Sequence, residues 1–335
     1  MRFRLLILLV LTSLLMGACG TNEPAIAVTA TLAPTDTPPQ LPTLTATPTV
    51  PLAILVLPAN MDAETSNLYQ KTVYDLTQSS GMRFQVRNNL TPADFEPGLK
   101  IVIVLPPDPG IAALASAAPD VQFLAINIPD IGAGGNVSVL GNNSQYEIAA
   151  FLAGYTAAML SDDYRTGMLM PRDNENAIRS FNAFTNGRKF FCGLCRPYFF
   201  LPWDFPQFQD IGADEDVNNY DAYADILILQ KKVRTIFIHP NIYTQDLVDY
   251  IGTTGTLMLG TVSPEQRPAG WIMTIQPDII KAIQTAWPQL IAGQGGLTVQ
   301  SPLGLGDLDP SLLSPGKQRD VQMTLDKLQS GLIAP

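Results

Sequence analysis

Four apolar runs open the folded part of the chain: LAILVLP (52–58), KIVIVLP (100–106), VQFLAINIP (121–129) and NVSVLG (136–141). They are rich in Val and Ile and lack polar alternation, the pattern of strands buried on both faces of a helix-covered parallel sheet. Helical stretches are predicted at 64–78, 110–117 and 144–161. The last of these places Ala149, Leu152, Ala153, Ala157 and Leu160 near one face, and its Ala150, Gly154 and Ala158 recur every four residues, a spacing that allows close helix packing. The alternation then restarts, with strands at 166–171, 198–202, 235–240 and 256–260 and helices at 175–189, 218–232 and 243–251. Two successive β-α arrays predict two doubly wound lobes rather than one long sheet. A strand at 271–276 and helices at 278–292 and 317–329 remain to complete either lobe.

Upstream, the pattern changes twice. Arg2 and Arg4 precede an apolar stretch from Leu5 to Met16, the layout of a secretory signal and too short for a stable membrane span. Two readings of its end stand: ordinary cleavage after Ala18, or lipidation of Cys19, since LMGAC resembles the bacterial lipobox with a Met three places before the cysteine. From Thr21 the chain is dominated by Thr, Pro and Ala, with Glu23 and Asp36 as its only charges up to Pro51. Repeated Pro and the absence of aromatics predict an extended tether. The expected organisation is therefore signal peptide 1–18, lipidated Cys19 and tether 19–51, lobe 1 at 52–162 completed by about 261–292, and lobe 2 at 163–260 completed by about 293–335. Such a protein is anchored by lipid on the extracytoplasmic face of a cell membrane.

Charge narrows the partners. Thirty acidic residues against twenty basic ones give a formal charge of −10, which argues against nucleic acid and against docking on anionic lipid.

Several stretches, in order, resemble the basic membrane protein family, also described as purine-nucleoside-receptor-like lipoproteins. They are PDVQFLAINIPD, YEIAAFLAGYTAAMLSDDYRTGMLMPRDN, GWIMTIQPDIIKAI and the tail from GLGDLDP to GLIAP. The resemblance spans about Leu52 to Pro335. It implies an α/β chain with the type I periplasmic-binding-protein fold: two Rossmann-like lobes joined by a multi-stranded hinge and closing on a solute. Independently, ligands of doubly wound sheets sit beyond the carboxyl ends of the strands.

Onto that pattern the family's ligand-lining Asp, Ser and Asn map to Asp62, Ser66 and Asn67, with Leu68 or Tyr69 nearest its aromatic. Carboxylate and amide groups suit sugar hydroxyls; the competing reading is that Asp62 or Thr65 merely caps the following helix. Phe181 or Phe184 matches the family's base-stacking Phe, or the two simply bury one helix face. His239, the only histidine, heads a strand-end loop with Asn241 and Tyr243; these suit a ligand hydrogen bond, and a lone His argues against a metal site. Where the family has a sugar-gripping Asp, this chain has Thr261 and Ser263, so weaker or altered sugar recognition is expected.

The pair Cys192 and Cys195 is spaced like a redox motif, yet it follows a helical stretch deep in the chain. With Cys19 consumed by lipid, an isolated even pair in an oxidising compartment predicts a structural disulfide; a catalytic thiol pair is the rival. No G-x-S-x-G, H-E-x-x-H or P-loop motif is present, and no cofactor is implied. The expected role is capture of a small, nucleoside-like ligand for an ABC-type permease, with no enzymatic activity. A ligand sensor or a degenerate scaffold of the same fold is the alternative.

Overall fold

The computed structural model describes residues 49–141, 145–161, 163–197, 200 and 202–335. The expected signal peptide, Cys19 and the tether up to residue 48 lie outside them. The first sheet is built from β1 (Leu52–Val56), β2 (Arg83–Arg87), β3 (Leu99–Val104), β4 (Gln122–Ile126), β5 (Val137–Gly141) and, from far downstream, β11 (Thr298–Gln300). Its order is β11-β5-β4-β3-β1-β2, with every pairing parallel. The Val/Ile runs β1 and β4 are buried along their whole length, as their lack of alternation requires. Helix α1 (Ala63–Ser79) and α7 (Ile279–Ile291) cover one face, and α2 (Ile111–Ala117) covers the other.

The second sheet repeats the winding: β6 (Thr166–Pro171), β7 (Gln207–Ile211), β8 (Thr235–Ile238), β9 (Leu257–Gly260), β10 (Trp271–Pro277) and β12 (Leu303–Gly306), in the order β12-β10-β9-β8-β6-β7. Only β12 runs antiparallel. One face carries α3 (Tyr146–Leu160), α4 (Glu175–Cys192) and α8 (Pro315–Gln329), and the other carries α5 (Tyr220–Asp225) and α6 (Gln245–Thr253). Helix α3 is apolar all round and buried along most of its length, so it must be covered on every side. It crosses α4 at backbone contact: a Cβ on Gly154 would collide with the carbonyl of Phe184, and one on Gly187 with that of Phe151. The four-residue recurrence of small side chains in α3 is what permits this approach.

The chain passes between the sheets three times, from β5 to α3, from β10 to α7 and from β11 to β12. These crossings are tied to one another. Gln145 Nε2 donates to the Ser301 carbonyl at 3.1 Å, and the Asp278 amide donates to the Pro302 carbonyl at 2.7 Å. Because β5, β10 and β11 all leave through their carboxyl ends, the carboxyl ends of the two sheets face each other across the crossings. Strand order and this triple connection are those of the type I periplasmic-binding-protein fold, as the resemblance implied.

Three expectations need correction. Helix α3 packs on the second sheet, so the boundary falls between Gly141 and Tyr146 and not at 162; its apolar surface has its counterpart in α4 and α8. The segment 261–292 is split, with β10 completing the second sheet and α7 the first lobe, and 293–335 is split likewise between β11 and the pair β12 and α8. Of the strand expected at 198–202, Tyr198, Phe199 and Leu201 lie outside the described residues, as does Ser144, and the sheet edge is formed by β7 at Gln207–Ile211. The helix expected at 218–232 is a composite: a 3-10 turn Val217–Asn219, α5, and a π turn Ile226–Gln230.

Candidate functional site

The loops at the carboxyl ends hold most of the residues singled out from sequence. In lobe 1, Asp62 ends the loop after β1 with extended backbone, and its Oδ1 accepts the Thr65 amide at 2.8 Å. It is the N-cap of α1, and that bond holds its carboxyl below the usual carboxylate range. Ser66 Oγ accepts from Gln70 Nε2 at 2.9 Å, and Asn67 is exposed. After β3, Asp108 likewise spends one oxygen on the amides of Gly110 and Ile111, each at 2.9 Å.

In lobe 2 the loops bond to one another. Gln245 Oε1 accepts from the Tyr243 hydroxyl at 3.1 Å and from the Glu265 amide at 2.8 Å, while its Nε2 donates to the Gln266 carbonyl at 2.8 Å. This joins the loop after β8 to the loop after β9. The Asp307 carboxylate, at the end of β12, accepts from Ser263 Oγ at 2.6 Å and from Thr274 Oγ1 at 2.5 Å. Ser263 Oγ also lies 3.0 Å from Gln276 Oε1. Thus the acid missing from the loop after β9 stands beside Ser263, supplied by a different strand.

Between the lobes lies a pocket of about 430 Å³ lined by Thr65, Leu68 and Tyr69 of α1, by Gln276–Ile280 of the second crossing, and by Gly304 and Leu305 of β12. Both residues set against the family's aromatic, Leu68 and Tyr69, line it. Leu68 is 51% exposed, unusual for a leucine, and burial pushes the Tyr69 phenol up. Asp62 and Ser263 stand one hydrogen bond behind its wall from opposite lobes, the first on the Thr65 amide and the second on Gln276. The wall can offer an apolar strip with hydroxyl, amide and carboxylate groups along it, a mixture suited to a small polar molecule with one flat or greasy side.

Other candidates lie elsewhere. Phe184 is fully buried, stacked on Phe237 at 6.0 Å between centroids, so it belongs to the core and not to a ligand surface. Phe181 packs edge-on against Phe208 at 5.0 Å. It sits seven residues past the Asn174 cap, roughly 10 Å along the helix from the strand ends at ~1.5 Å per residue. Tyr243 turns its ring onto Trp271, and Asn241 is exposed with its amide on His239 Nδ1 at 3.3 Å. His239 is buried beside Tyr146, and burial pushes its imidazole down to about 4; it is neutral, with Nε2 unpartnered. The Thr261 hydroxyl is also unpartnered and buried. Cys192 and Cys195 are joined in a disulfide, with Cα atoms 5.2 Å apart and Cys195 buried, as the isolated even pair predicted.

Sequence reasoning missed Thr65, Gln276 and Asp307 as site residues. Gln276 was visible as the polar side chain that ends the strand WIMTIQ, and Asp307 as an acid in the turn GDLDP. Nothing local, however, says that residue 307 meets residue 263.

No protein-family model matches the chain, and no curated protein does either. Among solved structures the chain is similar to a transcriptional activator of the comK gene from Bacillus halodurans, at 14% identity over 85% of this chain and 100% of that one, with a TM-score of 0.49. It is similar to an ABC transporter solute-binding protein from Aeropyrum pernix K1, at 13% identity over 86% and 94% of the two chains, TM-score 0.44. A 5-methylthioribose transporter solute-binding protein from Thermotoga lettingae, in complex with 5-methylthioribose, gives 10% identity over 82% and 92%, TM-score 0.38.

Proposed function

We propose that the chain is an extracytoplasmic solute-binding lipoprotein, anchored through Cys19, that captures a small nucleoside-like ligand and delivers it to an ABC-type permease. The observation that supports this best is the interlobe pocket, whose walls come from both lobes and from a chain crossing. A ligand touching Tyr69 and Gln276 together favours the closed arrangement over the open one, and binding and closure are then one equilibrium. The role asked of the residues is recognition rather than catalysis: Leu68 and Tyr69 meet the flat side of the ligand, and Gln276, backed by Ser263 and Asp307, meets hydroxyls.

The test is calorimetry and thermal shift with nucleosides, free sugars and amino acids. A ligand at 100 times its Kd adds ~2.7 kcal/mol of stability, a readily measured rise in Tm. Gln276→Ala is expected to weaken binding about tenfold, the loss of one good hydrogen bond, and Asp307→Ala by a similar factor through Ser263. If no compound of these classes raises Tm, the capture reading is wrong. One observation favours that outcome, a non-binding scaffold of the same fold: Asp62, Ser66 and Ser263 already have internal hydrogen-bond partners.

A further inference from the structure

The amino ends of the β6, β7 and β8 strands, and the carboxyl ends of α3 and α4, gather at the pole of lobe 2 opposite the interlobe pocket. This pole carries the two most exposed large apolar side chains among the described residues, Phe200 at 92% and Leu194 at 81%, with the half-exposed Phe190 and Phe191 beside them. They lie on and beside the disulfide loop 192–195. Leu194 stands in the loop that the Cys192–Cys195 bond closes, and the buried Arg188 guanidinium donates to the Cys195 carbonyl beneath it. Tyr155 braces the base, 5.4 Å from Phe191 and 6.1 Å from Phe190 between centroids.

The same pole is basic in a chain of charge −10. From Asn186 to Trp203 there is no acid, and the exposed Lys189 and Arg196 flank the loop. Lys231 lies over the Trp203 ring at 4.8 Å, and Lys232 and Arg234 follow it. Among the described residues, Asp163 is bonded to Arg165 at 2.6 Å, and Asp204 lies near Arg188. A rigid tip of aromatic and aliphatic side chains ringed by cations is the chemistry of the anionic headgroup and acyl boundary of a bilayer, where aromatic rings sit at headgroup depth and lysine and arginine stems reach phosphate. We infer that this pole of lobe 2 docks on an anionic phospholipid surface, with Phe190, Leu194 and Phe200 inserted and Lys189 and Arg196 on headgroups. The docking leaves the pocket, at the other end of the lobe, open to solution.

Hydrogen–deuterium exchange of the full chain on phosphatidylglycerol vesicles reads this locally, whatever the N-terminal segment does. Exchange over 188–204 should slow roughly tenfold or more on those vesicles, and far less on phosphatidylcholine. The protection should disappear in Leu194→Ser/Phe200→Ser, which changes the two most exposed side chains and should leave Tm at the parent's value. It should also fall in Lys189→Glu/Arg196→Glu, which keeps the apolar tip. Unchanged exchange over 188–204 on either lipid overturns the inference. So does protection without vesicles that grows with protein concentration and tracks a dimer in sedimentation, since the tip would then meet a second copy.

Discussion

The two lobes wind identically but are held together differently. Lobe 1 is an all-parallel sheet whose strand-end acids, Asp62 and Asp108, satisfy the first turns of their own helices. Lobe 2 has two helices in backbone contact, a disulfide at the tip of one of them, and strand-end loops bonded across to each other through Gln245 and Asp307. At the strand ends, the acids of lobe 1 stay local, while the polar groups of lobe 2 fix distant segments relative to each other. Lobe 2 should therefore fail abruptly when one link is cut, and lobe 1 gradually.

The largest expected break is Gly187→Ala. The added methyl must separate α3 from α4, so a loss of more than about 3 kcal/mol is expected in urea denaturation followed by circular dichroism. No loss, or the gain of about 1 kcal/mol that helix propensity alone gives Ala over Gly, would show that the helices do not touch.

Acid should divide the lobes next. His239, with a folded pKa of about 4 against 6.5 unfolded, contributes stability that is present above pH 6.5 and lost as pH falls towards 4. The amount is on the order of 3 kcal/mol. Asp62 is also depressed in the folded state, but from 3.8, so its contribution in lobe 1 fades only below that value. Lobe 2 should loosen first as pH is lowered. NMR titration of the single histidine checks it directly, and a folded-state midpoint near 6.5 would remove the difference.

Reducing the disulfide, or Cys192→Ser/Cys195→Ser, frees a loop closed over residues 192–195. The chain-entropy cost of such a short loop is about 2 kcal/mol, and a fall in Tm on adding dithiothreitol reads it. The same variant should leave insulin reduction unchanged at background; an activity lost with the cysteines would revive the thiol-enzyme reading. The smallest effect belongs to lobe 1. Asp62→Ala removes an exposed cap and should lower Tm only slightly, while Asp62→Asn or Asp62→Ser restores it.

The legible parts of the fold were those where burial alone dictates the pattern. The Val/Ile strands and the all-apolar helix α3 stand out because both faces must be covered. The edge strands RFQVR and QFQDI were missed because one side meets solvent and their residues mix accordingly, and TVQ and LGLG are too short to show a period. Asp62 was readable in both its roles, since a cap residue and a loop ligand share a position. Phe184 was ambiguous until its neighbours on the helix, Ala177, Ser180, Ala183 and Gly187, were seen buried with it. The bonds of Asp307 and Gln276 to Ser263 were hidden because the partners are 44 and 13 residues apart, brought near by the antiparallel β10–β12 and parallel β9–β10 pairings that no local signal announces.

The triple crossing also sets an order of assembly during synthesis. The edge strand β11 pairs with β5 through Thr298 and Val139, so the first lobe waits for residue 300 of 335 before its sheet is closed. The second lobe waits longer, for α8 to cover α3. Neither lobe is a continuous piece that a ribosome can release finished, and long-range pairing of this kind folds slowly. A chain stopped short by even its last forty residues or so would carry two open sheets and an uncovered apolar helix, the surfaces that aggregate and attract proteases. Intact length is thus a condition of solubility here.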